Sequence, residues 1–262
     1  MRILITNDDG IHAKGLEVLK GIALGLSPDV WTVAPETNQS GTSHSMTLHT
    51  PLRLRTVDER TFAVAGTPTD CVIMAVRHLL KDQPPDLILS GINHGSNLAD
   101  DVTYSGTIAA AMEGTILGIR SIALSLMMSF EEGERRALWE TAQAHAPSLI
   151  AKLIDGPWQP GSLINVNFPD VTPGDVAGIA VTTQGVRDAA TLNIESRNDP
   201  WGTPYFWFGF ERRKSTLLPG TDLDAIAAKK ISVTPLSLDL TDRDRLSSLK
   251  KKLEQAGAKP KA

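Results

Sequence analysis

RILITNDDGIHAKGLEVLKGIALGLSPDVWTVAP, residues Arg2–Pro35, is the stretch on which the fold turns. RILIT (Arg2–Thr6) is a short, β-branched run without polar alternation, the pattern of a strand buried on both faces of a parallel sheet. KGLEVLKGIALGL then places Leu16, Leu19, Ile22, Ala23 and Leu26 at steps of three and four, which predicts a helix. DVWTVAP is a second strand, closed by Pro35. Strand, helix, strand in this order is a βαβ unit.

The same alternation continues outward. TPTDCVIMAVRHLL reads as a helix with Thr69 or Asp70 as N-cap, PPDLILSG as a buried strand and GINHGSNLADDVTY as a loop. SGTIAAAMEGTILG is a helix and RSIALSL a strand. EGERRALWETAQAHAPSLIAKLI is a long helix with Pro147 inside it, and SLINVNFP a further strand. MTLHTPLRLRTV and RTFAVAG alternate apolar with polar and interrupt the series as an antiparallel excursion. The expected fold is α/β: a Rossmann-like, doubly wound, mostly parallel sheet.

The last third is less regular. GIAVTTQG and KKISVTPLSLDLT read as strands, and between them Trp201, Tyr205, Phe206, Trp207, Phe208 and Phe210 crowd into ten residues. Such a cluster on an excursion fits an oligomer contact or a lid. DRDRLSSLKKKLEQAGAKPKA reads as a helix with a frayed basic tail. We take residues 1–262 as one domain, with 1–183 as catalytic core and 184–262 as hairpin excursion and C-terminal oligomerisation segment.

Composition excludes several classes of function. The chain has 262 residues, 41% apolar and 21% charged, with a net charge of −4, which gives no reason to expect a nucleic-acid polymer or an anionic membrane as partner. No apolar run approaches a membrane span. A lone cysteine, Cys71, excludes an intrachain disulfide and any multi-cysteine metal site, and fits a reducing, cytoplasmic compartment. Asn7, Asp8 and Asp9 interrupt the first apolar run too early for a secretory signal.

Chemistry is expected where loops leave the carboxyl ends of the strands. Three do so: TNDDGIHAKG, APETNQSGTSHS and SGINHGSNLADDVTYSGT. Adjacent Asp8 and Asp9 repel one another unless a cation, a basic side chain or solvent relieves them. His12, His44 and His94 have no zinc-type spacing, while Asp, Asn and Ser oxygens suit magnesium, manganese or calcium. Ser105, Gly106 and Thr107 open a helix of small residues, where free N–H groups and two hydroxyls suit an anion; simple N-capping by Ser105 is the plainer alternative. A cation site and an anion site on one edge point to a phosphate ester.

ITNDDGIHAKGL, APETNQSGTSHSMTL, GTPTDCV, PDLILSGINHGSNLADDVTYSGTIAAAMEG and ISVTPL, in this order, resemble the SurE (survival protein E) family of metal-dependent nucleotidases. The resemblance implies a 5′-nucleotidase-type phosphatase acting on nucleoside 5′- and 3′-monophosphates, one divalent cation (Mg²⁺ or Mn²⁺), and a homodimer or homotetramer. It implies Asp8, Asp9, Ser40 and Asn93 as metal ligands, with Asp8, Asp9 and Asn93 catalytic. Ser40, Gly41, Asn97, Ser105, Gly106 and Thr107 would bind phosphate, and His44 and His94 take no catalytic role.

Rival readings fit less well. A magnesium-binding, receiver-like signalling module needs an acid after a later central strand, and DLILS runs instead into Gly91, Ile92 and Asn93. A haloacid-dehalogenase-type phosphatase needs Asp-x-Asp where this chain has Asp-Asp-Gly. Neither a dinucleotide-binding G-x-G-x-x-G turn nor a P-loop is present.

Overall fold

In the computed structural model, which describes residues 1–131, 134–187, 192–210 and 217–257, the alternation becomes β1 (Arg2–Thr6), α1 (Lys14–Leu26), β2 (Asp29–Pro35), β3 (Leu54–Asp58), β4 (Thr61–Val64) and α2 (Pro68–Met74). There follow β5 (Leu87–His94), α3 (Gly106–Ile116), β6 (Arg120–Leu126), a small β7 (Ser129–Glu131) and β8 (Glu134–Arg136) hairpin, α4 (Trp139–Ile154) and β9 (Ser162–Phe168). The chain continues through β10 (Ile179–Val181), β11 (Leu192–Asn198), β12 (Pro204–Phe210), α5 (Asp222–Ala227), β13 (Ile231–Ser237) and α6 (Arg243–Gly257).

Among the described residues nine strands form one sheet in the order β10-β13-β9-β6-β5-β1-β2-β4-β3. Five neighbouring pairs from β4 to β9 run parallel, as does β10 with β13; β3 against β4 and β13 against β9 are antiparallel. The sheet is covered on both faces. Ile3, Ile5, Leu87 and Leu89 pack with Leu16, Leu19 and Ile22 of α1 and with Ala142, Ala146 and Ile150 of α4. Leu4, Val33 and Ile88 pack with Cys71 and Val72 of α2 and Ala110 of α3. Alternate residues of a strand point to opposite faces, so two apolar layers require the unalternating hydrophobicity seen in RILIT. This is the expected doubly wound α/β fold.

Several local expectations shift. Thr67, not Thr69 or Asp70, caps α2: its hydroxyl accepts from Asp70 N, while Asp70 accepts from Thr67 N at 2.8 Å in a capping box. The apparent cap residues sit inside the first turn because Pro68 is well placed to open the helix. α4 begins at Trp139, not at the acidic run before it; Glu132 and Gly133, where that expectation began, lie outside the described residues. The loop expected from Gly91 first continues as strand, with Asn93 and His94 opposite Ser125 and Leu126 after a register shift. α5 follows an irregular stretch that gave no periodic signal.

The excursion rejoins the sheet edge, since β4 pairs with β2 and β3 with β4. β11 and β12 form a two-stranded sheet of their own; Phe206, Trp207 and Phe208 on β12 and Trp201 in the turn between the strands are exposed. α6 exposes Leu246, Leu249 and Leu253, and the basic tail expected after it lies outside the described residues. Among the described residues no helix is long and apolar enough to cross a membrane.

Candidate active site

The crossover from β1 leads to β2 on one side, whereas β5 pairs on the other, so a crevice opens beyond the carboxyl end of β1. Asn7 builds the turn there. Its side-chain N–H donates to Gly10 O at 2.9 Å, and its Oδ1 accepts from Gly10 N at 3.3 Å. Gly10 has φ +104°, and a Cβ there would stand 3.2 Å from the Thr37 carbonyl carbon, so the turn requires glycine. It turns Asp8 inward, 4% exposed, and leaves Asp9 half-buried.

Asp8 is the hub. The Thr107 hydroxyl donates to Asp8 Oδ1 at 2.5 Å, and a Cβ built on Gly106 would lie 2.7 Å from Asp8 Cβ. The Asp8 carbonyl accepts from Gln39 N at 2.7 Å, which ties the loop carrying Ser40 to the same turn. Asp9 Oδ2 accepts from His94 N at 3.1 Å, which brings the end of β5 alongside. The four segments that carry the predicted residues therefore meet at the NDDG turn.

Individual side chains are placed more variously. Ser40 and Gly41 are exposed; Ser40 N donates to Asn38 Oδ1, and Gly41 has φ +81°. Asn93 is half-buried and donates from Nδ2 to Gly95 O at 2.9 Å. Ser105 caps α3, its Oγ accepting from Ile108 N, so its own proton stays available to an anion. Thr107 is fully buried with its hydroxyl directed at Asp8; the expectation placed that hydroxyl on phosphate. Asn97 is buried, and its Nδ2 donates to Ser125 Oγ at 2.9 Å.

The structure adds further residues to the site. Asn97 N donates to Asn167 Oδ1, and Asn97 O accepts from Asn165 Nδ2 and Asn167 Nδ2, so two buried asparagines on β9 clamp the GSN loop. SLINVNF carried the signal: two amides at i and i+2 in a strand otherwise read as buried. His44 Nε2 lies 3.1 Å from Glu113 Oε2, a pair between a loop and α3 that sequence spacing could not reveal.

The electrostatics centre on Asp8. Burial is the strongest influence and pushes its carboxyl up; the Thr107 hydroxyl pulls it down and the Asp9 charge pushes it up again, leaving it at about 6. No basic side chain among the described residues pairs with either acid to offset this. The described residues gather no cluster of three or more His, Cys, Asp or Glu for a metal; the donors here are two carboxylates with hydroxyl and amide oxygens around them. A buried carboxylate short of counter-charge, beside a second one and among hard oxygen donors, fits a hard divalent cation.

Comparison with known proteins identifies the family. The family model described as survival protein SurE matches residues 3–191. The 5′-nucleotidase SurE of Methylorubrum extorquens (strain PA1) is 60% identical over 248 residues, 94% of this chain and 97% of that protein. The 5′-nucleotidase SurE of Parvibaculum lavamentivorans is 57% identical over 249 residues, 95% of this chain and 90% of that protein. The crystal structure of the SurE protein from Aquifex aeolicus superposes with a TM-score of 0.81 at 39% identity, covering 97% of this chain and all of that one. The family model covers most of the chain and the relatives match nearly all of it, so the chain belongs to the SurE family.

Proposed function

We propose that this chain is a metal-dependent phosphatase of nucleoside monophosphates, a 5′-nucleotidase with activity on 3′-nucleotides as well, releasing nucleoside and inorganic phosphate. The carrying observation is the buried Asp8, pushed up to about 6 beside Asp9 and pressed against the N-terminus of α3. The names of the relatives support the same reading. A receiver-like module is not favoured, because β5 ends in Gly91–His94 with no acid to accept a phosphoryl group.

Asp8, Asp9, Ser40 and Asn93 would hold one Mg²⁺ or Mn²⁺. A divalent cation bound there supplies positive charge against the phosphate and Lewis acidity toward water. Ser40 and Gly41, on the loop anchored through Gln39, and Asn97, Ser105 and the backbone N–H of Gly106 would orient the phosphate oxygens, while the absent Gly106 side chain leaves room for Asp8. Thr107 holds Asp8 Oδ1, which fixes the carboxylate in one orientation and opposes its protonation. We read hydrolysis as in-line attack of water on phosphorus: the P–O ester bond breaks and the nucleoside oxygen takes a proton. Asp8, with Oδ1 held by the Thr107 hydroxyl and its charge committed to the cation it would hold, would be a poor nucleophile.

The proposal extends to assembly and setting. The exposed aromatic hairpin of β11 and β12 and the leucine face of α6 support a homodimer or homotetramer built by residues 184–262. The free, buried thiol of Cys71 fits a cytoplasmic setting. Phosphate release from a panel of nucleoside 5′- and 3′-monophosphates, with EDTA or with added Mg²⁺ or Mn²⁺, tests the activity. Metal-dependent release supports it; folded protein silent with every metal and nucleotide overturns it.

A further inference from the structure

Asn97 is held more tightly than its place in a loop requires. Its N–H donates to Asn167 Oδ1 at 2.9 Å, and its carbonyl accepts from Asn165 Nδ2 at 2.9 Å and Asn167 Nδ2 at 3.1 Å. The orientation of both amides follows from this, because a main-chain N–H only donates and a carbonyl only accepts. The side chain is tied as well, Nδ2 donating to Ser125 Oγ at 2.9 Å. Ser125 and Asn167 stand opposite each other on β6 and β9, so one grips the side chain of Asn97 and the other its backbone. Two residues on, Ala99 sits at φ +52°, with its N–H on Asp222 Oδ2 and its carbonyl accepting from Gln184 Nε2. A residue with a side chain stays in that left-handed region only where the surrounding contacts hold it.

The clamp is not there for packing. Asn165 is fully buried, yet its Oδ1 meets no hydrogen-bond partner among the described residues. A buried acceptor left unpaired is unfavourable. Leu163, two positions earlier on the same face of β9, is apolar and equally buried, so this layer does not demand an amide. What the amide supplies is its N–H on the Asn97 carbonyl. With its backbone saturated and one Nδ2 proton on Ser125, Asn97 keeps a single side-chain N–H, and its direction is fixed. A fixed donor binds an anion better than a mobile one, because no ordering has to accompany binding.

We infer that Asn165 and Asn167 are positioning residues for phosphate: they aim the remaining N–H of Asn97 at a phosphate oxygen and act through Asn97. The inference rests on the nucleotidase reading above, in which Asn97 touches phosphate. It makes phosphate affinity a property of β9, a strand that carries none of the proposed metal ligands.

The test titrates inorganic phosphate into the Mn²⁺-loaded protein by calorimetry, beside steady-state kinetics on a nucleoside 5′-monophosphate. Threonine suits a strand, and the hydroxyl residues Ser232 and Thr234 already stand opposite both positions on β13, but a threonine hydroxyl cannot bond Asn97 N and O together. Asn167→Thr is expected to weaken phosphate binding about tenfold or more and to raise KM by a similar factor, with kcat within about threefold of wild type. Asn165→Thr, which removes one of two donors to Asn97 O, should weaken binding about threefold, and it decides the matter if Asn167→Thr does not fold. In both variants Mn²⁺ should raise the melting temperature as it does in wild type. Asn97→Ala should weaken phosphate binding as much as Asn167→Thr, and combining the two should change affinity less than about twofold further. Phosphate affinity unchanged in both threonine variants overturns the inference. So does a further tenfold loss in the double variant, or a loss of Mn²⁺ stabilisation in step with phosphate, which would make the clamp a general support of the site. A wild type that binds no phosphate overturns it too. A wild type that binds phosphate but hydrolyses no nucleotide ends the nucleotidase reading instead, and weaker phosphate binding in Asn167→Thr then still supports the clamp.

Discussion

Thr107 Oγ1 lies 2.5 Å from Asp8 Oδ1, so α3 holds the inward acid of the NDDG turn across 99 positions of sequence. Both groups are buried, and the hydroxyl is the main influence opposing the upward push of burial on Asp8. Thr107→Val keeps the shape and removes the donor. Hydrogen bonds to charged groups contribute about 1.5–3 kcal/mol, so kcat should fall by roughly 10- to 100-fold. Thr107→Ser should retain most activity. Steady-state kinetics of the two variants checks this, and a valine variant as active as wild type would release Thr107 from its role.

Gly106 sets a sharper geometric limit. A methyl group there would stand 2.7 Å from Asp8 Cβ, an atom next to the backbone that cannot swing aside. In an open helix position Gly→Ala stabilises by up to about 1 kcal/mol. At Gly106 we expect the opposite sign: a lower melting temperature and at least a tenfold loss of activity. Thermal melts with and without Mn²⁺, beside kinetics, measure both.

How far these contacts could be read from sequence depends on their range. The βαβ opening was legible because RILIT, the periodic helix and DVWTVAP are local patterns, and both faces of β1 are covered as its unalternating run requires. The cap of α3 by Ser105 was legible for the same reason, being completed three residues on by Ile108 N. The partner of Thr107 was not, because its hydroxyl faces a residue on another strand end. The His44–Glu113 pair and the Asn165 and Asn167 clamp on Asn97 join segments about 70 residues apart, which no period or spacing encodes. The charged run before α4 satisfies helix propensity, yet the helix starts only near Trp139, where the apolar positions that bury it begin.

Asp222 is another such long-range residue and gives a stability prediction. It is fully buried at the start of α5; its Oδ2 accepts from Ala99 N at 2.8 Å and its Oδ1 from Gly185 N and Leu223 N. It thereby pins the loop two residues beyond Asn97. Asp222→Ala leaves three backbone donors without their acceptor, at about 1–3 kcal/mol each where they stay buried. We expect the melting temperature to fall by roughly 6 °C or more, at about 2–4 °C per kcal/mol for a domain of this size. Asp222→Asn keeps one acceptor oxygen and should lie between.

Asp29 gives a pH prediction at the opposite end of the sheet. Burial alone would raise its carboxyl, but hydrogen bonds from Arg2 and Trp31 and the charges of Arg2 and Arg60 outweigh this and hold it below the ordinary value of 3.8. A depressed carboxyl stabilises the fold above the unfolded-state pKa, and the gain is lost as pH falls through the folded-state value. Asp29→Asn should therefore cost about 0.2–1 kcal/mol at pH 7, the range of partly exposed pairs. The gap between wild type and variant should close as pH drops below about 4. Denaturant midpoints between pH 3 and 7 measure it, and a gap that widens in acid would contradict the assignment.

Asp9→Asn separates metal binding from folding. Asp9 is half-buried, and its Oδ2 accepts from His94 N at 3.1 Å, a bond that the carbonyl oxygen of an asparagine can keep. The charge is lost while the shape remains, so the melting temperature without metal should stay within about 2 °C of wild type. It should even rise slightly, because Asp8 loses the neighbour whose charge pushes its carboxyl up. Mn²⁺ should stabilise wild type through binding to the folded state and leave the variant unmoved, with nucleotide hydrolysis lost in parallel. Retained activity together with retained Mn²⁺ stabilisation would remove Asp9 from the cation site and return the NDDG turn to a role in folding alone.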